Sequence, residues 1–326
     1  MEQQLIGKSR AIENIRKQLA SLAKSSNDIL LIGEVGVGKG TAARNIHNSQ
    51  YATNGSDDHP YVTINAAITD DKELETILLG FERGVPGMPP TTKRGLFELG
   101  TNGTVLIEEV EDASFRNQKA IYTFLETRSS VRLGGNEPRT SNTRVILTMK
   151  DSPATLLETG KLFEDLGKKL SSVEHVSIPP LRERPEDIPM LVKYFVGEIS
   201  KEVGLREVAL DINAIDVLVR HAWRENVREL KAVIDKSVLF SNGGKFVLPP
   251  ELVDEKTEVV KMINNVVAGQ EFILDKSLDL IEKGIIERSL NRFAFNQSRT
   301  AGFLGMTEQT LRYKLKRLGI PSARSR

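Results

Sequence analysis

The 326-residue chain has no cysteine, one tryptophan and four histidines (His47, His59, His175 and His221) scattered without ligand spacing. Without cysteine there is no disulfide framework, thiolate metal site, iron–sulfur cluster or thiol nucleophile. The histidine spacing argues against a metal centre built on imidazoles. Long apolar runs are also missing. Stretches such as 29–32 and 105–107 fall far short of the roughly 18 residues a membrane span needs. The first twenty residues carry no apolar core of the secretory kind, so a cytoplasmic protein is expected. Nor is there an excess charge of one sign: 45 basic residues face 44 acidic ones, so a nucleic-acid interface would have to be a local patch. Repeats and low-complexity tracts are absent. What is present is enough chain for two or three domains, at 39% hydrophobic residues too apolar for disorder.

Up to about residue 170, helical patterns alternate with short apolar runs at 28–32, 61–64, 104–107 and 144–147. That alternation predicts a parallel sheet in an α/β domain. From 185 to 240 the period is helical throughout and predicts an all-helical subdomain. A mixed, aperiodic stretch follows, and three more helical patterns begin at 272. The expected boundaries are 1–180 for the α/β nucleotide-binding part, 181–253 for a helical lid, 254–271 for a linker and 272–326 for a helical DNA-binding domain.

The run at 28–32 leads directly into Gly33-Glu34-Val35-Gly36-Val37-Gly38-Lys39-Gly40-Thr41 and then a helical pattern. A strand, GxxxxGK and a helix form a phosphate cradle: glycines let backbone N–H groups surround phosphates at a helix N-terminus, and Lys39 reaches the β and γ oxygens. Gly33, Gly36, Gly38, Lys39, Gly40 and Thr41 are therefore assigned to nucleotide. Gly40 stands where a Ser or Thr normally touches Mg²⁺, and the hydroxyl comes one place later at Thr41. About 65 residues downstream, the strand at 104–107 ends in Glu108-Glu109, carboxylates suited to holding Mg²⁺ and polarising water. Thr41 and Glu108 are the expected metal contacts.

Together these segments resemble the AAA+ bacterial enhancer-binding proteins that act with the sigma-54 RNA polymerase, over almost the whole chain. Tyr61-Val62-Thr63-Ile64-Asn65 is similar to the family's strand ending in a switch asparagine. Ile178-Pro179-Pro180-Leu181-Arg182-Glu183-Arg184-Pro185-Glu186-Asp187-Ile188 is close to a family signature. Trp223-Arg224-Glu225-Asn226-Val227-Arg228-Glu229-Leu230 resembles W-P-G-N-V-R-E-L. The resemblance implies that Asn65 and Glu109 serve hydrolysis, that Arg228 is a sensor contacting nucleotide, and that ATP and Mg²⁺ are the cofactors. With nothing preceding residue 1, it implies members controlled by a regulatory partner protein.

The departures are as informative. In place of the G-A-F-T-G-A loop stands Gly84-Val85-Pro86-Gly87-Met88-Pro89, without the aromatic or threonine and stiffened by prolines. Glu108 replaces the family's Asp, and the sensor Thr-Asn becomes Met149-Lys150. The two arginine fingers fall on Phe163 and Lys169, and lysine lacks arginine's planar fork. Binding elements persist while hydrolysis elements are eroded.

Toward the C-terminus, Leu278, Ile281, Ile285, Ile286 and Leu290 lie near one helical face, which could pair with a second copy. A short helix, a turn at Leu304-Gly305-Met306 and a helix capped by Thr307 have the spacing of a helix-turn-helix, and resemble the family's Fis-type module. Leu311, Leu315 and Leu318 should face its core. Thr307, Glu308, Gln309, Arg312 and Tyr313 are assigned to the DNA groove, and Lys316 and Arg317 to phosphates.

The expected architecture is thus an α/β AAA+ P-loop domain with parallel sheet and helical lid, followed by an all-α helix-turn-helix domain. The expected function is that of an ATP-binding, sequence-specific regulator of transcription. It would bind double-stranded DNA as a dimer, assemble further through its AAA+ part, work with an RNA polymerase other than the sigma-54 form or act as a repressor or antagonist, and hydrolyse little or no ATP. Two alternatives stay open: a sigma-54-dependent activator with ATPase activity, and a regulator binding another nucleotide such as a cyclic dinucleotide.

Overall fold

The computed structural model describes residues 5–51, 59–204, 210, 212–241, 244, 246–249, 252, 274–293 and 295–321. The expected linker at 254–271 and the basic residues Arg324 and Arg326 lie outside them. The chain divides into two compact units, Met1–Pro249 and Pro250–Arg326.

In the first unit, α1 (Arg10–Leu22), β1 (Ile29–Ile32), α2 (Lys39–Tyr51), β2 (Tyr61–Asn65) and α3 (Asp71–Leu79) lead to a small hairpin, β3 (Gly80–Phe81) and β4 (Lys93–Arg94). After it come α4 (Leu96–Leu99), β5 (Thr104–Glu108), α5 (Phe115–Thr127), a second hairpin of β6 (Ser129–Val131) and β7 (Pro138–Thr140), and β8 (Arg144–Met149). Helices α6 (Pro153–Glu158) and α7 (Glu164–Ser171) precede β9 (Glu174–Ser177). Five strands form one parallel sheet in the order β2-β5-β8-β1-β9.

Apolar residues alternate between the two faces of this sheet. Leu30, Val105, Ile107, Val145 and Leu147 pack under α3, α5 and α7, while Ile29, Leu31, Leu106, Ile146 and Val176 pack under α1 and α2. Burial on both faces is why these strands read as continuous apolar runs. Strand β1 lies between β8 and β9 in the sheet, so the loop leaving its C-terminal end opens at the point where strand order reverses, the usual place for a ligand in an open α/β sheet.

His47 of α2 is buried, its Nδ1 2.9 Å from Thr104 Oγ1 and its ring between Tyr51 and Tyr61. Burial, then the nearby Arg44, lowers its pKa from 6.5 to about 4. The unfolded chain therefore binds a proton in this window that the folded chain refuses, so stability is complete above pH 6.5 and falls as the pH drops toward 4. Thermal melts between pH 7 and 4.5 should show this slope, and His47→Leu should flatten it; an unchanged slope would place the effect elsewhere.

The lid comprises α8 (Ile188–Val203), α9 (Ile212–Arg220) and α10 (Asn226–Phe240), as the helical period predicts. In the second unit α11 (Leu274–Arg292), α12 (Gln297–Phe303) and α13 (Glu308–Arg317) enclose a core of Ile286, Leu290, Ala301, Leu311, Leu315 and Ile320.

Candidate nucleotide site and nucleic-acid interface

The loop Gly33–Thr41 turns from β1 into α2 against the start of α10. Gly36 has φ +77°, and a Cβ there would sit 2.0 Å from the Glu225 carbonyl oxygen, so both the backbone conformation and the close approach demand glycine. Val227 N–H donates to the Gly36 carbonyl at 3.0 Å. The buried Asn226 joins three segments: its Nδ2 donates to Val35 O (2.9 Å) and Glu34 Oε2 (3.1 Å), and its Oδ1 accepts from Leu181 N (2.7 Å). Arg182 grips Glu34 with two hydrogen bonds, 2.8 and 2.6 Å, and this guanidinium holds the Glu34 carboxyl down to about 2. Arg184, almost fully buried, donates to Val37 O at 2.9 Å.

Lys39 lies inside the loop, its Nζ donating to the carbonyls of Gly33 (2.5 Å) and Glu34 (3.1 Å). Burial depresses its pKa, and Glu109, Glu111 and Glu108 oppose that depression. Glu108 ends β5 in register with Asn65 of β2. Burial and then Glu109 push its carboxyl up, against Lys39 and Arg228. Glu109 has φ +56°, with its N–H held by Thr148 Oγ1 at 3.1 Å.

A cleft of about 400 Å³ brings Gly36, Gly38, Lys39, Gly40, Thr41, Glu108, Glu109 and Arg228 together, a volume within the range for a small-molecule site. It is also lined by residues that the sequence reading missed: Leu5 and Ile6 before α1, Tyr194 and Phe195 of α8, and Lys231 of α10. Apolar walls beside a phosphate loop suit a flat base joined to a polyanion. The oxygen donors suit a hard cation shared with phosphates, and the raised Glu108 carboxyl is a group that such a cation would keep charged. Among the described residues no cluster of three or more His, Cys, Asp or Glu could hold a metal by itself.

The positions at which the family resemblance expects hydrolysis residues make other contacts. Asn65 turns back on its own loop, with Oδ1 accepting from Ala67 N at 2.8 Å. Lys150 pairs with Asp112 at 2.7 Å and lies 3.9 Å from Glu109. Burial works against its ammonium, but Asp112 and the neighbouring acids outweigh that and raise its pKa. Phe163 packs against the core beside Tyr122, and Lys169 pairs with Glu126 at 2.7 Å. The loop at 84–89 leaves a hairpin whose base is clamped: Arg132 binds Glu98 (2.7 and 2.6 Å) and Glu82 (3.1 Å).

In the second unit Thr307 caps α13, its hydroxyl accepting from Thr310 N at 3.2 Å. Leu311 and Leu315 are buried and Leu318 packs against the same core. Gln309, Arg312, Tyr313 and Lys316 are exposed. Arg312 Nε donates to Gln297 at 3.1 Å, and Glu308, half-exposed, accepts from Ser298. Arg317 is exposed and pairs with Asp279 (2.7 Å) and Glu282 (2.5 Å) of α11. Lys314 also pairs with Glu282. Leu278 and Ile285 are exposed on α11, whereas Ile286 and Leu290 are buried. The side chain of Ile281 lies outside the described ones.

Three family models match in succession: the sigma-54 interaction domain over residues 5–175, the AAA+ ATPase lid domain over 182–261, and the Fis-family bacterial regulatory protein over 277–318. The chain belongs to the sigma-54 interaction family of AAA+ transcriptional regulators. Regulatory protein AtoC of Escherichia coli (strain K12) is 30% identical over 98% of this chain and 68% of its own length. Nitrogen assimilation regulatory protein NtrX of Azorhizobium caulinodans is 30% identical over 97% and 69%. The crystal structure of NtrX from Brucella abortus matches with a TM-score of 0.69 at 29% identity, over 96% of this chain and 69% of that one. The same NtrX in complex with ATP matches at 0.68 and 29%, over 97% and 69%. Transcription regulation, an AAA+ nucleotide-binding fold and a Fis-type DNA-binding module are thus family properties of this chain. Among the described residues no helix is long and apolar enough to cross a membrane.

Proposed function

We propose that this chain is a sequence-specific DNA-binding regulator in which ATP, held with Mg²⁺ through Thr41 and Glu108, acts as a ligand that promotes assembly, with little or no hydrolysis. The observation that carries this reading is the contrast within the first unit: the phosphate loop, Glu108 and Arg228 line one cleft, while Lys150, Phe163 and Lys169 stand where the resemblance expects the sensor and finger residues and make other contacts. An arginine finger is worth roughly 10³ to 10⁵ in rate in related phosphate-loop enzymes. The prolines and the missing aromatic of the loop at 84–89 support action on a polymerase other than the sigma-54 form.

The second unit would dimerise on a double-stranded, palindromic site, with Leu278 and Ile285 available for the contact. Further assembly would run through the AAA+ part, and a regulatory partner protein would set its activity in the cytoplasm. The test compares ATP with a non-hydrolysable analogue in assembly on DNA and in transcription with each polymerase form. Equal support by the two nucleotides, and no requirement for sigma-54, is the expected result. The retained Glu109 and the family itself favour the second reading, a hydrolysing sigma-54 activator, which predicts activity with ATP alone.

Arg312→Ala should weaken specific DNA binding by about 1 to 3 kcal/mol if its guanidinium reads a base edge. Competition against random DNA checks this, since an equal loss on both DNAs would make Arg312 a phosphate contact.

A further inference from the structure

We propose that Arg16 is a positioning residue for the nucleobase: by gripping the backbone of residues 5–7 it presents Leu5 and Ile6 to the cleft. The proposal rests on the nucleotide reading of the cleft and names what shapes its base-binding wall.

Residues 5–8 belong to no helix or strand, so no ladder of backbone hydrogen bonds fixes them. Two charged side chains do so instead. Arg16, half-buried in the middle of α1, donates through Nε to the Leu5 carbonyl at 2.9 Å and through Nη2 to the Gly7 carbonyl. Two carbonyls two residues apart match the planar fork of a guanidinium, which the single ammonium of a lysine does not reproduce. From the other end of the segment, the Asp187 carboxylate accepts from the N–H groups of Lys8 and Ser9, at 2.6 and 2.7 Å. Gly7 has φ +155°, and a Cβ there would lie 2.6 Å from Asp187 Cγ, so only glycine passes this close to the carboxylate. A cation on the carbonyls and an anion on the N–H groups both make the stronger, charge-assisted kind of hydrogen bond.

Held in this way, Leu5 is buried against the phosphate loop, where a Cβ at Gly38 would meet its Cδ2 at 3.1 Å. Leu5 and Ile6 line the cleft together with Leu191, Tyr194 and Phe195. Arg16 itself does not line it, so its influence passes through the backbone it grips. Without that grip a bound base would have to order the segment, and affinity would fall because fixing a free backbone costs conformational entropy. The phosphate end should not share the loss, since the phosphate loop is held separately by Asn226, Val227 and Arg184.

The test titrates the full chain by calorimetry with ATP and with inorganic tripolyphosphate, which carries the charge but no base, both in the presence of Mg²⁺. Arg16→Ala should lower ATP affinity by roughly tenfold and leave tripolyphosphate affinity within about threefold of the parent chain. Arg16→Lys, which keeps the charge and reaches one carbonyl, should fall between the parent and Arg16→Ala for ATP. Melts without nucleotide check folding, and Arg16→Lys carries the comparison of the two ligands should Arg16→Ala unfold.

An equal loss for ATP and tripolyphosphate would place the effect in the loop or the fold and overturn the positioning role. ATP affinity unchanged in Arg16→Ala would overturn it as well. A parent chain that binds tripolyphosphate as tightly as ATP would overturn the base wall and leave the phosphate loop standing. No binding of either by the parent chain would overturn the nucleotide reading itself.

Discussion

Lys39→Ala is expected to abolish nucleotide binding while leaving the chain folded. The ammonium is buried within the loop and donates to the carbonyls of Gly33 and Glu34, at the point where a β- or γ-phosphate would replace them with a stronger, charged acceptor. Truncating one partner of a buried charged pair costs about 2 to 5 kcal/mol, equivalent to roughly 30-fold to several thousand-fold in affinity. The fold should persist because the loop is fixed by other contacts, from Asn226, Val227 and Arg184. Calorimetric titration with ATP, beside a melt without nucleotide, checks both halves. An ATP affinity within threefold of the parent chain would show that this loop is not the phosphate site.

Asp187→Ala is expected to have the largest effect on stability. The carboxylate is completely buried and accepts from Lys8 N (2.6 Å), Ser9 N (2.7 Å) and Ser9 Oγ (2.7 Å), with Arg184 Nη1 at 4.0 Å. It therefore neutralises a buried guanidinium and fixes the segment entering α1 to the start of α8. Its removal leaves the Arg184 charge without its counter-ion, and two N–H groups and the Ser9 hydroxyl without their acceptor, a loss of about 3 to 5 kcal/mol. In a unit of this size that is on the order of 10 °C in Tm. Because Leu5 and Ile6 on the same segment line the cleft, nucleotide affinity should fall with it. Thermal melting and ATP titration of Asp187→Ala and Asp187→Asn check this, with the amide variant expected to retain part of the hydrogen bonding. A loss under about 0.5 kcal/mol, the size of an ordinary surface change, would contradict this role for Asp187.

The sheet was legible because β1, β5 and β8 are buried on both faces and consist of apolar runs bounded by turns. Edge strand β9 was not, since Glu174, His175 and Ser177 are exposed and only Val176 is buried. The two hairpins, of two and three residues per strand, are too short to carry a period. The phosphate loop announces itself because its glycines and Lys39 are contiguous. Leu5, Ile6, Tyr194 and Phe195 do not, because apolar residues on a helix or beside one look the same whether they face a core or a cleft. Three buried or paired polar arrangements were equally silent: Asp187 with Ser9, Lys150 with Asp112, and Arg317 with Asp279 join residues 178, 38 and 38 positions apart. No local pattern marks such a pair, and the basic run at 314–317 therefore carries no sign that Lys314 and Arg317 pair with acids of α11. The helix-turn-helix was legible for the opposite reason, since its caps, turn and leucine spacing are all local.

The cleft is expected to bind ATP without turning it over. Steady-state ATP turnover, measured across a range of protein concentrations with Lys39→Ala as the blank, tests it most directly. Turnover at the blank level in protein shown to bind ATP is the predicted result. Turnover that rises steeply with protein concentration would contradict it, because subunits would then be completing one another's sites with residues other than the missing arginines.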